Sequence, residues 1–326
     1  MNILICAESF YPEINGVSSV ITNLASEFIK KNFTVSVATK KISNRKKLNI
    51  NKKGVRVHQF DVKGNLVRGI AGEKKKYTDF LKKSNYDIIF FYAAQQWSFD
   101  LALPLLDKLK AKICFAPCGF SRLNNFFYKN YFRLLFNKIK FCDLVIFHSK
   151  YYQDYLICKK KRVKNICVIH NGSQNYQDLK INYNNFRKNN IIIISEIKFN
   201  KGIDRALLSL IFSKLNNNNL IIYTQKKPKS LNLYFIFLKL LIFFLKIKNK
   251  FLVKFKYGVS EKKLHLERKK AFLFLFGSRL ECSPLVLFES AAAGLPFISF
   301  NVGNSMEISK ITGAGFSVNK IMEMTN

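Results

Sequence analysis

Residues 271–304 read AFLFLFGSRLECSPLVLFESAAAGLPFISFNVGN, and their reading decides the fold. The run 271–276 is continuously apolar and of strand length, which suits a strand buried on both faces. A loop follows over 277–283. Ser283 is a plausible N-cap and Pro284 suits the first helical position, where a missing N–H costs nothing. Gly294 is a natural helix stop, and 295–300 begins another strand. Strand, loop, helix and strand make one βαβ unit. Its loop therefore lies at the carboxyl end of a parallel sheet, where open α/β folds bind ligands.

Two carboxylates punctuate this unit: Glu281 in the loop and Glu289 eight positions later in the helix. Between them the helix start offers the backbone N–H groups of Leu285 and Val286, and a helix N-terminus attracts an anion. Acids on either side of an anion-binding turn suit a phosphate flanked by two hydroxyl-bearing sugars, the shape of a nucleotide sugar. For an isolated E-x7-E pair, a solvated loop glutamate and a helix-face glutamate would be the plainer reading.

The ordered run from Ser278 to Pro296 resembles the signature of family-4 retaining glycosyltransferases (glycosyl transferases group 1), close to SRxEGFPLVLLEAMAAGLP. This chain has Cys282-Ser283 for Gly-Phe and Ser290-Ala291 for Ala-Met. The resemblance implies an α/β chain of GT-B fold, with two Rossmann-like doubly wound domains facing a cleft. It also implies that Glu281 contacts the donor sugar as the catalytic acid residue and that Glu289 binds the ribose hydroxyls. No cofactor and no metal are implied.

The N-terminal half reads as a similar start. A short strand over 2–7 leads through a loop to Gly16, which opens a helix to about Lys30, with Val20, Leu24 and Phe28 on one face. A glycine at such a turn lets backbone approach a phosphate. The text from Tyr11 to Val17 resembles the family's P-x-x-x-G-G-V loop, with Asn15 for the first glycine, so Gly16 would stand beside the donor phosphate. Further strands are expected over 33–39, 54–60, 87–92, 112–116 and 144–147, a basic loop over 40–53, and a helix near 99–109. Pro117-Cys118-Gly119 falls where the resembling enzymes often carry His-Gly, and Cys118 offers no comparable charged donor. His148 reads as a strand-end residue.

Residues 167–172 resemble the strand end V-I-P-N-G that closes the family's first domain, so the domains are expected at 1–175 and 190–326, with a polar linker over 175–190. A buried strand is expected over 191–194, and Lys201-Gly202-Ile203-Asp204 resembles the end of G-R-x-x-x-x-K-G-x-D. Lys201 keeps the phosphate-binding lysine, whereas the arginine position is Glu196. Either Glu196 points away and Lys198 supplies the charge, or donor binding is weakened.

Hydrophobic content of 48% over 326 residues supports two cored domains rather than disorder. A net charge of +35 points towards an anionic partner, although lysine-rich composition accounts for part of it. With no nucleic-acid motif and lysines spread along the chain, nucleic acid is not expected. Seven scattered cysteines without a C-x-x-C pair suit a reducing compartment, and Cys114 and Cys118 with His148 or His170 match no usual zinc spacing. The first residues lack the pattern of a signal peptide, so a cytoplasmic protein is expected.

Two segments are basic and rich in aromatics. Residues 121–141 place Leu123, Phe126, Phe127, Tyr131 and Leu135 at helical spacing among Arg122, Lys129, Arg133, Lys138 and Lys140; they suit an anionic membrane surface or the domain core equally. Residues 233–245 are nearly all apolar but span only about 20 Å, short of the roughly 30 Å of a bilayer core, so a surface-bound or buried helix is expected. The resembling enzymes continue beyond this chain's end with further helices, which implies a truncated or divergent member. The resulting expectation is a peripheral enzyme at the inner face of the membrane, moving sugar from a nucleoside-diphosphate-sugar to a lipid-linked or polysaccharide acceptor in cell-surface glycan synthesis. The alternative is an inactive relative that binds membrane or partner enzymes.

Overall fold

In β1 (Asn2–Cys6) alternate side chains go to opposite sides, Leu4 and Cys6 into one buried cluster and Ile3 and Ile5 into another. A strand apolar on both faces needs cover on both sides of its sheet, which is the parallel α/β arrangement. The computed structural model describes residues 1–43, 45, 54–173, 189–228 and 232–325. By its contacts the chain divides into two units, Met1–His170 and Asn171–Asn326.

The first unit continues through α1 (Gly16–Lys30), β2 (Thr34–Lys40), β3 (Arg56–Phe60), β4 (Val62–Asn65), β5 (Gly69–Gly72), α2 (Lys74–Lys83), β6 (Ile88–Tyr92) and α3 (Trp97–Asp100). It ends with β7 (Lys112–Ala116), α4 (Lys129–Lys138), β8 (Leu144–Phe147), α5 (Gln153–Lys160) and β9 (Ile166–Val168). The sheet runs β3-β2-β1-β6-β7-β8-β9, all parallel, and β4 and β5 form a separate antiparallel hairpin. The order reverses beside β1, so the loops after β1 and β6 flank the switch point where such sheets bind ligands.

The second unit comprises β10 (Asn190–Ile194), α6 (Ile203–Phe212), β11 (Asn219–Thr224), α7 (Leu233–Asn249), β12 (Leu252–Tyr257) and α8 (Glu261–Lys270). Then come β13 (Leu273–Phe276), α9 (Leu285–Ala292), β14 (Phe297–Phe300), α10 (Ser305–Thr312) and β15 (Gly315–Val318). Its parallel sheet runs β12-β11-β10-β13-β14-β15. This is the doubly wound order of a Rossmann fold, with the switch point between β10 and β13. Ile191 and Ile193 pack on one side of the sheet and Ile192 on the other.

Several local expectations need correction. The helix expected near 99–109 is broken into α3 and a 3-10 helix, Leu103–Lys108, because Pro104 sits at the latter's start and cannot donate to a preceding turn. Pro284 occupies the N-cap position of α9 rather than the first helical one, and Ser283 does not cap. Instead the Ser283 hydroxyl accepts from Asn304 Nδ2 at 3.1 Å. Gly294 follows α9 with a left-handed φ of 66°, the stop its position suggests. Most of the loop expected over 40–53 and the linker over 175–190 up to residue 188 lie outside the described residues. The hairpin and α2 have no strong sequence signal: α2 buries only Tyr77 and Leu81 among five lysines.

The segment 121–141 resolves into a 3-10 helix, Phe126–Tyr128, then α4 and a second 3-10 helix, Ile139–Phe141. Its apolar face, Tyr131, Phe132, Leu135 and Ile139, belongs to the core, so α4 is a packed helix. Among the described residues no helix is long and apolar enough to cross a membrane.

Candidate active site

The second unit builds its site where two glycine-bearing loops touch. Gly202 ends the loop after β10 with φ 60°, and Gly277 directly follows β13. A Cβ on Gly202 would stand 1.9 Å from the Gly277 carbonyl oxygen, and one on Gly277 would stand 2.0 Å from the Gly202 carbonyl oxygen. No residue with a side chain permits that approach from either side. Once the loops meet they are bonded together: Arg279 N donates to Asn200 O at 2.9 Å, and Ser278 Oγ to the same oxygen at 3.1 Å.

That closeness brings Lys201 and Glu281 together across 80 residues of sequence. Lys201 Nζ lies 2.7 Å from Glu281 Oε1, and Ser278 Oγ donates to the same oxygen at 2.9 Å. Neither side chain is sealed from water, at 29% and 17% exposure, so both can reach a ligand. An ammonium has three donors, and Glu281 uses one. Behind the pair, Arg279 clamps Asp204 through both guanidinium nitrogens, at 2.8 and 2.5 Å, and the Tyr234 hydroxyl donates to Asp204 at 2.7 Å. Burial pushes the Asp204 carboxyl up, but the hydrogen bonds from Arg279 and Tyr234 outweigh it and hold it below its ordinary value. Asp204 thus stays charged at the start of α6, where the helix dipole favours an anion.

The loop between β13 and α9 is fixed from its other side by Gly303 and Asn304. Gly303, at φ 58°, leaves room for the Cys282 carbonyl, which a Cβ would approach to 2.4 Å, and Asn304 N donates to that carbonyl at 2.9 Å. The loop therefore presents the start of α9 in a set position. Leu285 and Val286 are its first helical residues, whose N–H groups have no carbonyl one turn back.

Glu289, within α9, is held from α8. Arg268 is 1% exposed, pairs through Nη2 with Glu289 and lies 3.8 Å from Glu261. Burial pushes Glu289 above the ordinary carboxylate range; Arg268 pulls it down and Glu261 pushes it up. Glu196 does not stand alone either, since Lys198 Nζ is 2.5 Å from its carboxylate. The acid at the arginine position is thus neutralised by the nearby lysine.

In the first unit, Gly16 is the first residue of α1 and Asn15 its cap, accepting from Ser18 N at 2.9 Å and donating to Ser9 Oγ at 2.7 Å. The residue in place of the usual glycine is one of the best helix caps. Cys118 sits in left-handed backbone (φ 57°) beside Gly119, whose N–H donates to Asp154 at 2.9 Å. Burial pushes the Cys118 thiol up to about 12, so it stays protonated. His148 follows β8 directly, its Nε2 3.6 Å from Cys118 Sγ and its Nδ1 2.9 Å from the Ile169 carbonyl oxygen. Burial pushes His148 down, so the ring is neutral.

Sequence reasoning pointed to Glu281, Glu289, Lys201 and the α9 start, but did not find Ser278, Arg268 or Asp154 as partners. Ser278 lay inside the quoted motif. Arg268 had no signal, being one of 55 lysines and arginines. Among the described residues no group of three His, Cys, Asp or Glu side chains could hold a metal ion.

Residues 14–173 match the family model described as Glycosyltransferase Family 4, and residues 176–321 match Glycosyl transferases group 1. No curated protein sequence matches the chain. Among solved structures it is similar to the sucrose-phosphate synthase of Thermosynechococcus elongatus (13% identity, 97% of this chain and 85% of that one, TM-score 0.74). It is also similar to Anabaena HepE in complex with UDP (17%, 100% and 88%, 0.72). A third likeness is to WaaG, a glycosyltransferase involved in lipopolysaccharide biosynthesis (16%, 99% and 88%, 0.67). At these identities the likeness concerns the fold, which is GT-B.

Proposed function

The chain belongs to the glycosyltransferases that join a Family 4 domain to a group 1 domain, and from that premise we propose that it moves a sugar, with retention, from a nucleoside-diphosphate donor to a lipid-linked or polysaccharide acceptor in cell-surface glycan synthesis. The observation that carries the reading is the Lys201–Glu281 contact at the switch point of the second sheet. It joins a cation and a carboxylate, both reachable by a ligand, at the place where such sheets bind one, and this supports the reading of Lys201 as the phosphate contact and Glu281 as the sugar contact.

In this reading the diphosphate lies against Lys201 and the Leu285 and Val286 amides of the second unit, with Lys198 near by. Glu281 takes a hydroxyl of the donor sugar and Glu289 the ribose hydroxyls. The acceptor hydroxyl attacks the anomeric carbon as its bond to the leaving phosphate oxygen breaks, and the acceptor proton passes to that oxygen. The protein's contribution is preorganised positive potential where negative charge develops. Cys118, a neutral thiol beside His148, offers no charged donor in the first unit. The net charge of +35 supports a working place on the anionic inner face of a membrane.

The test pairs binding with turnover. Calorimetry with UDP and GDP, and with their common sugar conjugates, is expected to show saturable binding of one nucleotide. No binding at millimolar concentration would favour the inactive relative. Glu281→Ala and Glu289→Ala are each expected to abolish transfer or donor hydrolysis, and retained activity in both sinks the assignment.

A further inference from the structure

The second unit carries a helix with two opposite apolar faces. α7 packs Phe235, Leu238, Leu241, Ile242 and Leu245 into the core. On its other side Ile236, Phe237, Leu240, Phe243, Phe244 and Ile247 are 43–63% exposed. At about 100° per residue these six fall within an arc of roughly 120° pointing away from the core. The lysines edge that arc: Lys239 and Lys246 along one border, Lys248 along the other, and Lys250 just beyond the last turn. No acidic residue occurs in α7. The Lys239 ammonium lies 5.0 Å from the centre of the Phe235 ring and that of Lys248 lies 5.3 Å from Phe212, so both stems run along apolar surface with the charge at its edge.

Such a stripe is costly to leave in water, and an exposed apolar patch rimmed by charge marks an interaction surface. A second copy of the chain fits poorly, because two such faces would bring lysine borders together with no acid on the helix to pair them. A spanning helix is excluded by length, since 17 residues reach only about 26 Å. We propose that the outer face of α7 lies in the headgroup region of an anionic membrane. The aromatic stripe would sit among the first acyl carbons and the lysines on lipid phosphates, the geometry of an interfacial amphipathic helix. This rests on the membrane location proposed above and names the surface that makes the contact. α4 is not that surface, because its apolar face is in the core.

Trp97, the chain's single tryptophan, is buried, so Phe243→Trp places a distinct reporter on the stripe. With vesicles of equal phosphatidylglycerol and phosphatidylcholine, its emission is expected to shift to the blue and to be quenched by lipids brominated near the headgroup. Pure phosphatidylcholine should leave it unchanged, and 0.5 M salt should weaken the partition at least tenfold. Changing Lys239, Lys246 and Lys248 to glutamine should also weaken it at least tenfold, against less than twofold for Lys74, Lys75 and Lys82 of α2. All of the α7 positions are exposed, and an unaltered circular dichroism spectrum confirms that each variant folds. Vesicle pelleting without a shift at position 243 overturns the α7 surface and leaves the membrane location standing. No pelleting at all removes both. A blue shift without lipid that tracks self-association by sedimentation overturns the proposal in favour of a second copy. Nucleotide calorimetry, run separately, reports on donor binding independently of all three.

Discussion

Arg268 holds a guanidinium at 1% exposure between Glu289 and Glu261. A charge so placed is tolerable only with its counter-charge, and removing one partner of a buried pair costs about 3–5 kcal/mol. Arg268→Ala is therefore expected to lower stability in urea by about 3 kcal/mol and to drive Glu289 further towards its neutral form, weakening nucleotide binding as well. Arg268→Lys should recover part of both. A loss under 1 kcal/mol for the alanine variant would show that Glu289 does not depend on it. Glu289 itself was picked out in the sequence by the resemblance of residues 278–296 to the family signature, not by its spacing to Glu281 alone. Arg268 was not, because ten residues of EKKLHLERKK show nothing to mark which cation turns inward.

At the scale of elements, the contact between the β10 loop and the end of β13 sets the site. Gly277→Ala would drive a Cβ into the Gly202 carbonyl at 2.0 Å, with backbone on both sides and nothing flexible to give way. Its cost is expected at about 2 kcal/mol or more. Because the same contact aligns Lys201 with Glu281, nucleotide affinity should fall with stability. Gly172→Ala, with nothing within 4 Å of its added carbon, should change neither. If Gly277→Ala binds nucleotide as the parent does, the close approach is not what positions the pair. Gly202 was visible in the K-G-x-D motif and Gly277 as the first residue of the loop after the 271–276 strand, but their meeting was not, since 75 residues of strands and helices separate them.

For the molecule as a whole, the buried carboxyls set how stability responds to pH. In the first unit Asp100 accepts from Leu66 N at 2.9 Å and from the Tyr131 hydroxyl at 3.0 Å. Burial nevertheless raises it to about 6, and the same cause raises Asp154 to about 6. A carboxyl raised in the folded state binds its proton more tightly there than in the unfolded chain. Its contribution is fully present below about pH 4 and is lost as pH rises through about 6. Asp100→Asn removes that dependence. Measured by urea unfolding, stability should move in the variant's favour by up to about 3 kcal/mol between pH 3.5 and pH 7, since the shift is about two units. A constant difference between parent and variant over that range would mean that Asp100 titrates as an exposed acid does.

The sequence by itself pointed to two parallel α/β units, the place of most strands along the chain and the motif acids, because each is carried by local runs and motifs. Apolar runs select buried strands, Asn15 and Gly294 punctuate helices by local hydrogen bonding and backbone freedom, and the E-x7-E spacing follows from one helix start. Tertiary structure alone decided which distant charges meet: Lys201 with Glu281 and Arg268 with Glu289. It also decided which of two similar basic amphipathic segments turns its apolar side inward. Both α4 and α7 carry apolar residues at helical spacing among lysines, but α4 has one apolar face and spends it on the core, whereas α7 is apolar nearly all round and buries only one side. Periodicity records how many apolar residues a helix has; only the packing of the sheet beneath it limits how many can leave water.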